Sequence, residues 1–284
     1  VLSVHSSMAY EWRDTTKSIF EEYFETLSVA EFIKNRPTLE LTYGFSQPTL
    51  SKTRYPDDFT STFDIDFRYG FTRTTYRQLP ANLIYVAGEY VIIASNSYFL
   101  KPSFMEFEGN PTDAWRFGLG YANGYGYQLG ADSRLVFFHG GNILWNKVNI
   151  EFDKPEDDKY DYLSKFNETM RFGHSFEIGV KYQFLPTVHL KAGYEHAIFF
   201  PGYEFPEWVG SFTPEILIQR IIDFIAIKRS KDDPTNFPII VTAVKGIVSF
   251  AFYELRRNQA YWPFKSDQPM NYDTFKLGFS FVFD

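Results

Sequence analysis

Residues 63–71 read Phe-Asp-Ile-Asp-Phe-Arg-Tyr-Gly-Phe, with Phe63, Ile65, Phe67, Tyr69 and Phe71 separated one by one by Asp64, Asp66, Arg68 and Gly70. Successive side chains of a strand point to opposite faces, so this period of two predicts a strand with one apolar and one charged face. The pattern recurs on both sides. At 39–45, Leu39, Leu41, Tyr43 and Phe45 alternate with Glu40, Thr42 and Gly44; at 115–121, Trp115, Phe117, Leu119 and Tyr121 alternate with Arg116, Gly118 and Gly120. At 176–184, Phe176, Ile178, Val180, Tyr182 and Phe184 alternate with Glu177, Gly179, Lys181 and Gln183. After Leu185-Pro186-Thr187, which reads as a hairpin turn, Val188, Leu190, Ala192 and Tyr194 face away from His189, Lys191 and Gly193. Segments 82–94 and 143–152 carry weaker versions.

Two architectures produce such rows: a soluble β-sandwich or barrel with the apolar face inward, or a membrane barrel with that face toward lipid. The composition of the rows decides between them. Two sheets that must interdigitate across about 10 Å favour Val, Ile and Leu, whereas these rows are dominated by Phe, Tyr and Trp. Lipid accepts such rows because nothing has to fit between them, and aromatic residues gather at both membrane interfaces. The whole chain has the same bias: of 284 residues 20% are aromatic, including 32 Phe and 20 Tyr. A net charge of −7 argues against nucleic acid, which needs a basic face, and the absence of Cys excludes disulfides, thiolate nucleophiles and Cys-based metal sites.

The stretch Tyr272 to Asp284 sets Phe275, Leu277, Phe279, Phe281 and Phe283 against Lys276, Gly278 and Ser280. Here the chain resembles the bacterial outer-membrane β-barrel proteins, whose last strand ends in an aromatic residue and directs barrel insertion. It departs from them in ending on Asp284 after Phe283. The resemblance implies a bacterial outer-membrane location. Val1 to Tyr10 has neither the basic nor the apolar region of a secretory signal, which fits an exported chain whose signal has been removed.

Two regions change period. Over 14–34, Ile19, Phe20, Tyr23, Phe24, Leu27, Ala30, Phe32 and Ile33 follow helical spacing, with Asp14 as cap and Arg36-Pro37 as stop. Thr213-Pro214-Glu215 starts a second pattern through Ile216, Leu217, Ile221, Phe224 and Ile225, and, with one more strand over 239–252 as the alternative for so short an apolar run, the spacing from Pro238 to Arg256 predicts a third helix. Lys245 interrupts the latter and leaves its apolar run short of a membrane span. The expected fold is all-β: an antiparallel transmembrane β-barrel with an N-terminal amphipathic helix and a helical hairpin insertion. An N-terminal segment, 1–36, precedes a barrel domain, 37–284, with the insertion at about 213–256. Strands over 38–46, 60–73, 82–95, 113–123, 143–152, 170–184, 187–199 and 273–283 give eight, and ten if 124–142 hides another pair. Long connections at 47–60, 97–112, 153–170 and 200–272 then share one end of the barrel.

The polar rows place Glu40, Asp64, Asp66, Arg68, Arg116, Glu177, Lys181, His189, Lys191 and Glu195 in the lumen, with Lys147, Glu151 and Lys276 beside them. A small barrel fills its interior with side chains, so these read as a paired-charge network rather than a pore or an acid–base site. There is no Gly-x-Ser-x-Gly elbow, phosphate-binding loop or His-Glu-x-x-His helix. His174-Ser175 would point to opposite faces, and no catalytic or metal site and no cofactor is expected. Asp153, Glu156, Asp157, Asp158 and Asp161 lack the spacing of a calcium loop and read as solvated. Trp115 and Trp145 read as interface anchors. Ile216, Ile221, Phe224, Ile225, Ile247 and Phe250 make the hairpin too apolar for water, so it should meet the bilayer or another envelope protein. The function expected is a non-enzymatic scaffold or binding component of a cell-envelope assembly. A small-solute channel and a barrel-embedded lipid-modifying enzyme are the alternatives.

Overall fold

Hydrocarbon offers no partner for a backbone N–H or C=O, so a sheet immersed in it must close on itself. The computed structural model, which describes residues 33–50, 59–75, 79–80, 82–102, 104–105, 108–151 and 162–283, does this with eight strands. They are β1 (Ile33–Leu50), β2 (Thr62–Thr75), β3 (Leu83–Ser97), β4 (Thr112–Gln128), β5 (Arg134–Ile150), β6 (Met170–Leu185), β7 (Val188–Phe199) and β8 (Met270–Val282). Each pairs antiparallel with the next, and β8 returns to β1 over a ladder from Thr38↔Val282 to Leu50↔Met270. The shortest, β7, has 12 residues, enough to cross a bilayer even when tilted.

Alternation becomes inside and outside. On β2, Ile65, Phe67, Tyr69 and Phe71 are exposed while Asp64, Asp66 and Arg68 are fully buried. On β8, Phe275, Leu277 and Phe279 are exposed while Thr274 and Lys276 are buried. The three tight connections, β2–β3, β4–β5 and β6–β7, lie at one end and the four long ones at the other. Interval 124–142 holds no extra pair: β4 and β5 run in unbroken register from Thr112↔Ile150 to Gln128↔Arg134. Eight strands, not ten, is therefore the count.

Several boundaries differ from expectation, β4 running on to Gln128 and β5 starting as early as Arg134. The proposed helix over 14–34 lies outside the described residues up to 32, but Ile33 and Lys34 already belong to β1. Pro37 sits within that strand because it lies at the rim, one residue beyond the last β1–β8 pair, where its carbonyl accepts from Phe283 N at 2.8 Å. The insertion starts earlier than 213. Helix α1 spans Phe205–Arg229, with Pro206 in its first turn, and Pro214 lies inside it, where Thr213 Oγ1 donates to the Val209 carbonyl at 2.7 Å. Helix α2 spans Phe237–Asn258 and is long and apolar enough to cross a membrane, Lys245 notwithstanding.

The two helices stand side by side against the outer wall of β4 to β7. Near the long-loop end, Trp208 and Phe212 pack with Phe172, Phe200 and Tyr261; near the tight-turn end, Ala226, Phe237 and Val241 pack with Leu83 and Tyr125. Phe237, the first residue of α2, is buried there. At about 1.5 Å per residue the helices measure roughly 37 and 33 Å, close to the bilayer's thickness. Gly246 lets α2 lie close to the wall: a Cβ on it would sit 3.2 Å from the Ile178 side chain.

Deleting Phe275 to Asp284 should abolish assembly, because β8 carries both the β7 and the β1 ladders; a heat-modifiable folded species after this deletion would refute closure by β8. Phe67→Arg, on the exposed face, should cost about 2–4 kcal/mol in urea titrations of the vesicle-inserted protein. Thr72→Lys, which lines the interior near the tight-turn end, should cost far less.

Candidate functional site

A barrel of eight strands is narrow, and what fills it determines whether anything passes. The interior residues of β1, β2, β4, β6, β7 and β8 converge into one network of five cations, Arg68, Arg116, Lys181, Lys191 and Lys276, and five carboxylates, Glu40, Asp64, Asp66, Glu177 and Glu195. Their formal charges cancel. Arg68 bridges Asp66 at 2.7 Å and Glu177 at 2.6 Å; Lys191 joins Glu177 and Glu40, each at 3.0 Å. Lys276 reaches Asp66 at 2.7 Å and Glu195 at 2.6 Å, and Arg116 ties Glu195 to Asp64. Isolated charges could not be held this deeply without partners; here most are shared between two.

Neutral groups complete the layer. Arg68 Nη1 donates to Tyr90 Oη at 3.1 Å, and Asn142 Nδ2 and Ser175 Oγ both donate to Glu195 Oε1. Tyr90 fits because its ladder partner is Gly120, a position where any side chain would collide with the ring. Toward the long loops an apolar plug seals the lumen, with Phe166, Phe199, Met270 and Tyr272 at its centre. Toward the tight turns remain cavities of about 30 and 40 Å³, room for a few waters each. His189 lines the second of these beside Lys181 and, among the described residues, takes no part in the ion pairs.

Two expected lumen residues lie elsewhere. Lys147 faces outward, and Glu151 is exposed just beyond β5. The phase of β5 is not legible in sequence because its inward positions near the long loops, Leu144, Val148 and Ile150, are apolar members of the interior packing.

A second polar assembly, unexpected from sequence, lies outside the barrel. On α1 the buried residues are Ser211, Phe212, Glu215, Gln219, Asp223 and Ala226; on α2 they include Thr242, Lys245, Ser249, Tyr253 and Arg256. Lys245 Nζ pairs with Asp223 at 3.0 Å and donates to Asn123 Oδ1 on β4 at 2.8 Å. Arg256 holds Glu215 and donates to the Ser211 hydroxyl at 3.0 Å. On the wall, His196 bonds Asp273, which also accepts from Tyr253 Oη at 3.0 Å. The sequence carried one usable signal: Ser211, Glu215, Gln219 and Asp223 fall at i, i+4 spacing on a helix otherwise rich in Ile and Phe.

Ser249 sits 2.9 Å from His139 Nε2, which resembles a nucleophile and its base. The hydrogen-bond directions make it something else. Ser249 Oγ donates to Glu215 Oε1 at 2.7 Å and accepts from Gln219 Nε2 at 3.0 Å, so His139 must donate to it rather than take its proton. With the hydroxyl 1% exposed, this is a saturated node joining three elements. His174 and Ser175 point apart, His174 against the Phe212 ring and Ser175 into the lumen.

The hairpin's buried polar stripe thus faces the wall together with Phe212, Phe237 and Val241, while many of its other apolar residues face away. Ile216, Ile221, Ile225, Ile247 and Phe250 are exposed, Ile247 by 67%, and Phe224 is half-buried. An exposed apolar barrel surface, a sealed ion-paired lumen and a closed antiparallel ring of eight define the class: the fold is that of the outer-membrane eight-stranded β-barrels. No family model and no curated protein matches the chain. Among solved structures, Neisserial surface protein A is 9% identical, with 87% of this chain and 97% of that one covered at a TM-score of 0.41. Ail, the attachment invasion locus protein of Yersinia pestis, is 11% identical, with 87% and 98% covered at 0.31.

Lys245→Met should cost about 3–5 kcal/mol, because it leaves the Asp223 carboxylate buried without its cation. Lys245→Met combined with Asp223→Leu should recover most of the loss. Urea midpoints, with tryptic cleavage at exposed Lys231 as a reporter of hairpin undocking, distinguish the two; equal sensitivity of single and double variants would show that the pair does not anchor the hairpin.

Proposed function

We propose that the chain is an integral protein of the bacterial outer membrane that acts as a non-enzymatic scaffold, displaying a membrane-embedded helical hairpin to another component of the cell envelope. The observation that carries this reading is the inverted polarity of the hairpin, whose buried charges Glu215, Asp223, Lys245 and Arg256 turn to the barrel while Ile221, Ile225 and Ile247 turn outward, Arg220 being the charge exposed among them. A helix pair in water would do the reverse. Such an apolar surface suits lipid or the apolar surface of a second membrane protein, and the barrel holds it at a fixed position and height. The long loops, all at one end, offer a second contact region.

The packed lumen weighs against the channel alternative, since the apolar plug and the ion layer both obstruct the axis. Planar-bilayer recordings should show no discrete single-channel steps; regular steps from homogeneous protein would replace the scaffold reading with transport. Ile221→Glu with Ile225→Glu should leave a heat-modifiable barrel but disperse its complex on native gels of mildly solubilised membranes. Unchanged migration and co-purification would remove the hairpin as the interface.

A further inference from the structure

After β3 ends at Ser97 the chain makes one 3₁₀ turn, Tyr98–Leu100, and that turn folds back over the outside of the barrel. The Leu100 carbonyl accepts from Tyr43 Oη at 3.0 Å, and Phe63, although it faces outward, is only 5% exposed beneath the turn. Across the wall, the loop entering β6 is pinned where Glu168 N donates to the Val148 carbonyl at 2.7 Å. Between these two overhangs the outer surface of β2 to β5 forms a groove of about 740 Å³, far larger than the two lumen cavities described above.

The groove is built in two zones. Ile65, Phe67, Ile93 and Trp115 supply an apolar floor on the surface that faces hydrocarbon. Above it, toward the long loops, stand Lys147, Asn149, Asp113 and Glu168. The ladder fixes their relation: Lys147 is opposite Trp115 and Asn149 opposite Asp113, so Lys147 and Asp113 are diagonal neighbours. They are not paired with each other. Asp113 accepts from the Ser97 hydroxyl, and among the described residues Lys147 has no ion-pair partner. Lys147 lies three residues from the end of β5, about 10 Å, within reach of the membrane interface.

A lone cation flanked by two carboxylates, over an apolar floor, is complementary to a dipolar head group with an acyl chain below it. A purely anionic head would meet Lys147 but be repelled by Asp113 and Glu168. A choline head has no N–H to give a carboxylate, whereas a primary ammonium has three. We propose that this groove binds one phospholipid of the phosphoethanolamine class, Lys147 holding the phosphate and Asp113 and Glu168 the ammonium, with an acyl chain along Ile65, Phe67 and Ile93 against Trp115. The assignment rests on the barrel exterior facing lipid.

The test is native mass spectrometry of the full chain offered phosphatidylethanolamine, phosphatidylglycerol or phosphatidylcholine with identical acyl chains, while heat-modifiability and vesicle insertion are followed in parallel. The parent should retain phosphatidylethanolamine over the other two by about tenfold or more. Lys147→Gln should lose that retention, and Asp113→Asn with Glu168→Gln should shift the preference to phosphatidylglycerol. A folded, inserted parent that holds the three lipids equally, or prefers phosphatidylglycerol, overturns the proposal. So does a Lys147→Gln variant that retains phosphatidylethanolamine as the parent does. A chain that folds without entering vesicles removes the lipid-facing exterior as well, which separates the two failures.

Discussion

The pairing of β8 with β1 is the constraint from which the rest of the structure follows. It joins residues 220 or more positions apart, such as Leu39 to Phe281 and Leu50 to Met270, and makes the sheet edgeless. Without it two rows of backbone polar groups would face an apolar medium with no partner. Closure at eight strands also fixes a bore too narrow to leave open and too polar in sequence to fill with hydrocarbon side chains. The ten balanced charges of the lumen are the consequence. Lys276 and Lys191 come from β8 and β7, and their carboxylate partners from β1, β2, β6 and β7, so the network forms only when the ring is shut.

The same closure creates the surface on which the hairpin rests. His139, His174 and His196 all lie on the outward face, where an uncovered imidazole would meet lipid. The helices cover this flank and bring their own polar groups to it, so two surfaces that would each be costly in hydrocarbon satisfy one another. Gly246 lets α2 come near enough for Ser249 to meet His139, and Pro214 is accommodated in a helix whose neighbours supply the contacts that water supplies elsewhere. Near the long-loop end of β2 and β3, away from α1 and α2, the 3₁₀ turn shapes an outer groove instead.

Much of this was legible in the chain because a strand's two faces are written in alternate residues. Phe63 to Phe71 and Phe275 to Phe283 disclose both the outer wall and the acidic or basic residue behind each aromatic, and the sorting of tight and long connections to opposite ends follows from the count. What escaped was wherever a residue's face depends on a distant element. Lys147 looked like a lumen cation because Leu144, Val148 and Ile150 are inward yet apolar, and only the plug beside them explains why. Lys245 looked like an interruption to a span, since its carboxylate partner, Asp223, lies on another helix.

The sequence by itself determined that the chain is a β-barrel of about eight strands with an apolar outer face and a filled interior, because period, aromatic content and polar rows are local properties that each strand expresses alone. Tertiary structure alone decided which cation meets which carboxylate, that the hairpin stands against the outer wall with Glu215, Asp223, Lys245 and Arg256 inward, and that Lys147 and Asp113 share a groove outside the barrel. Those outcomes depend on register and on contacts between residues tens to hundreds of positions apart. A one-dimensional pattern can state that a charge needs a partner, but only the closed ring specifies where that partner is.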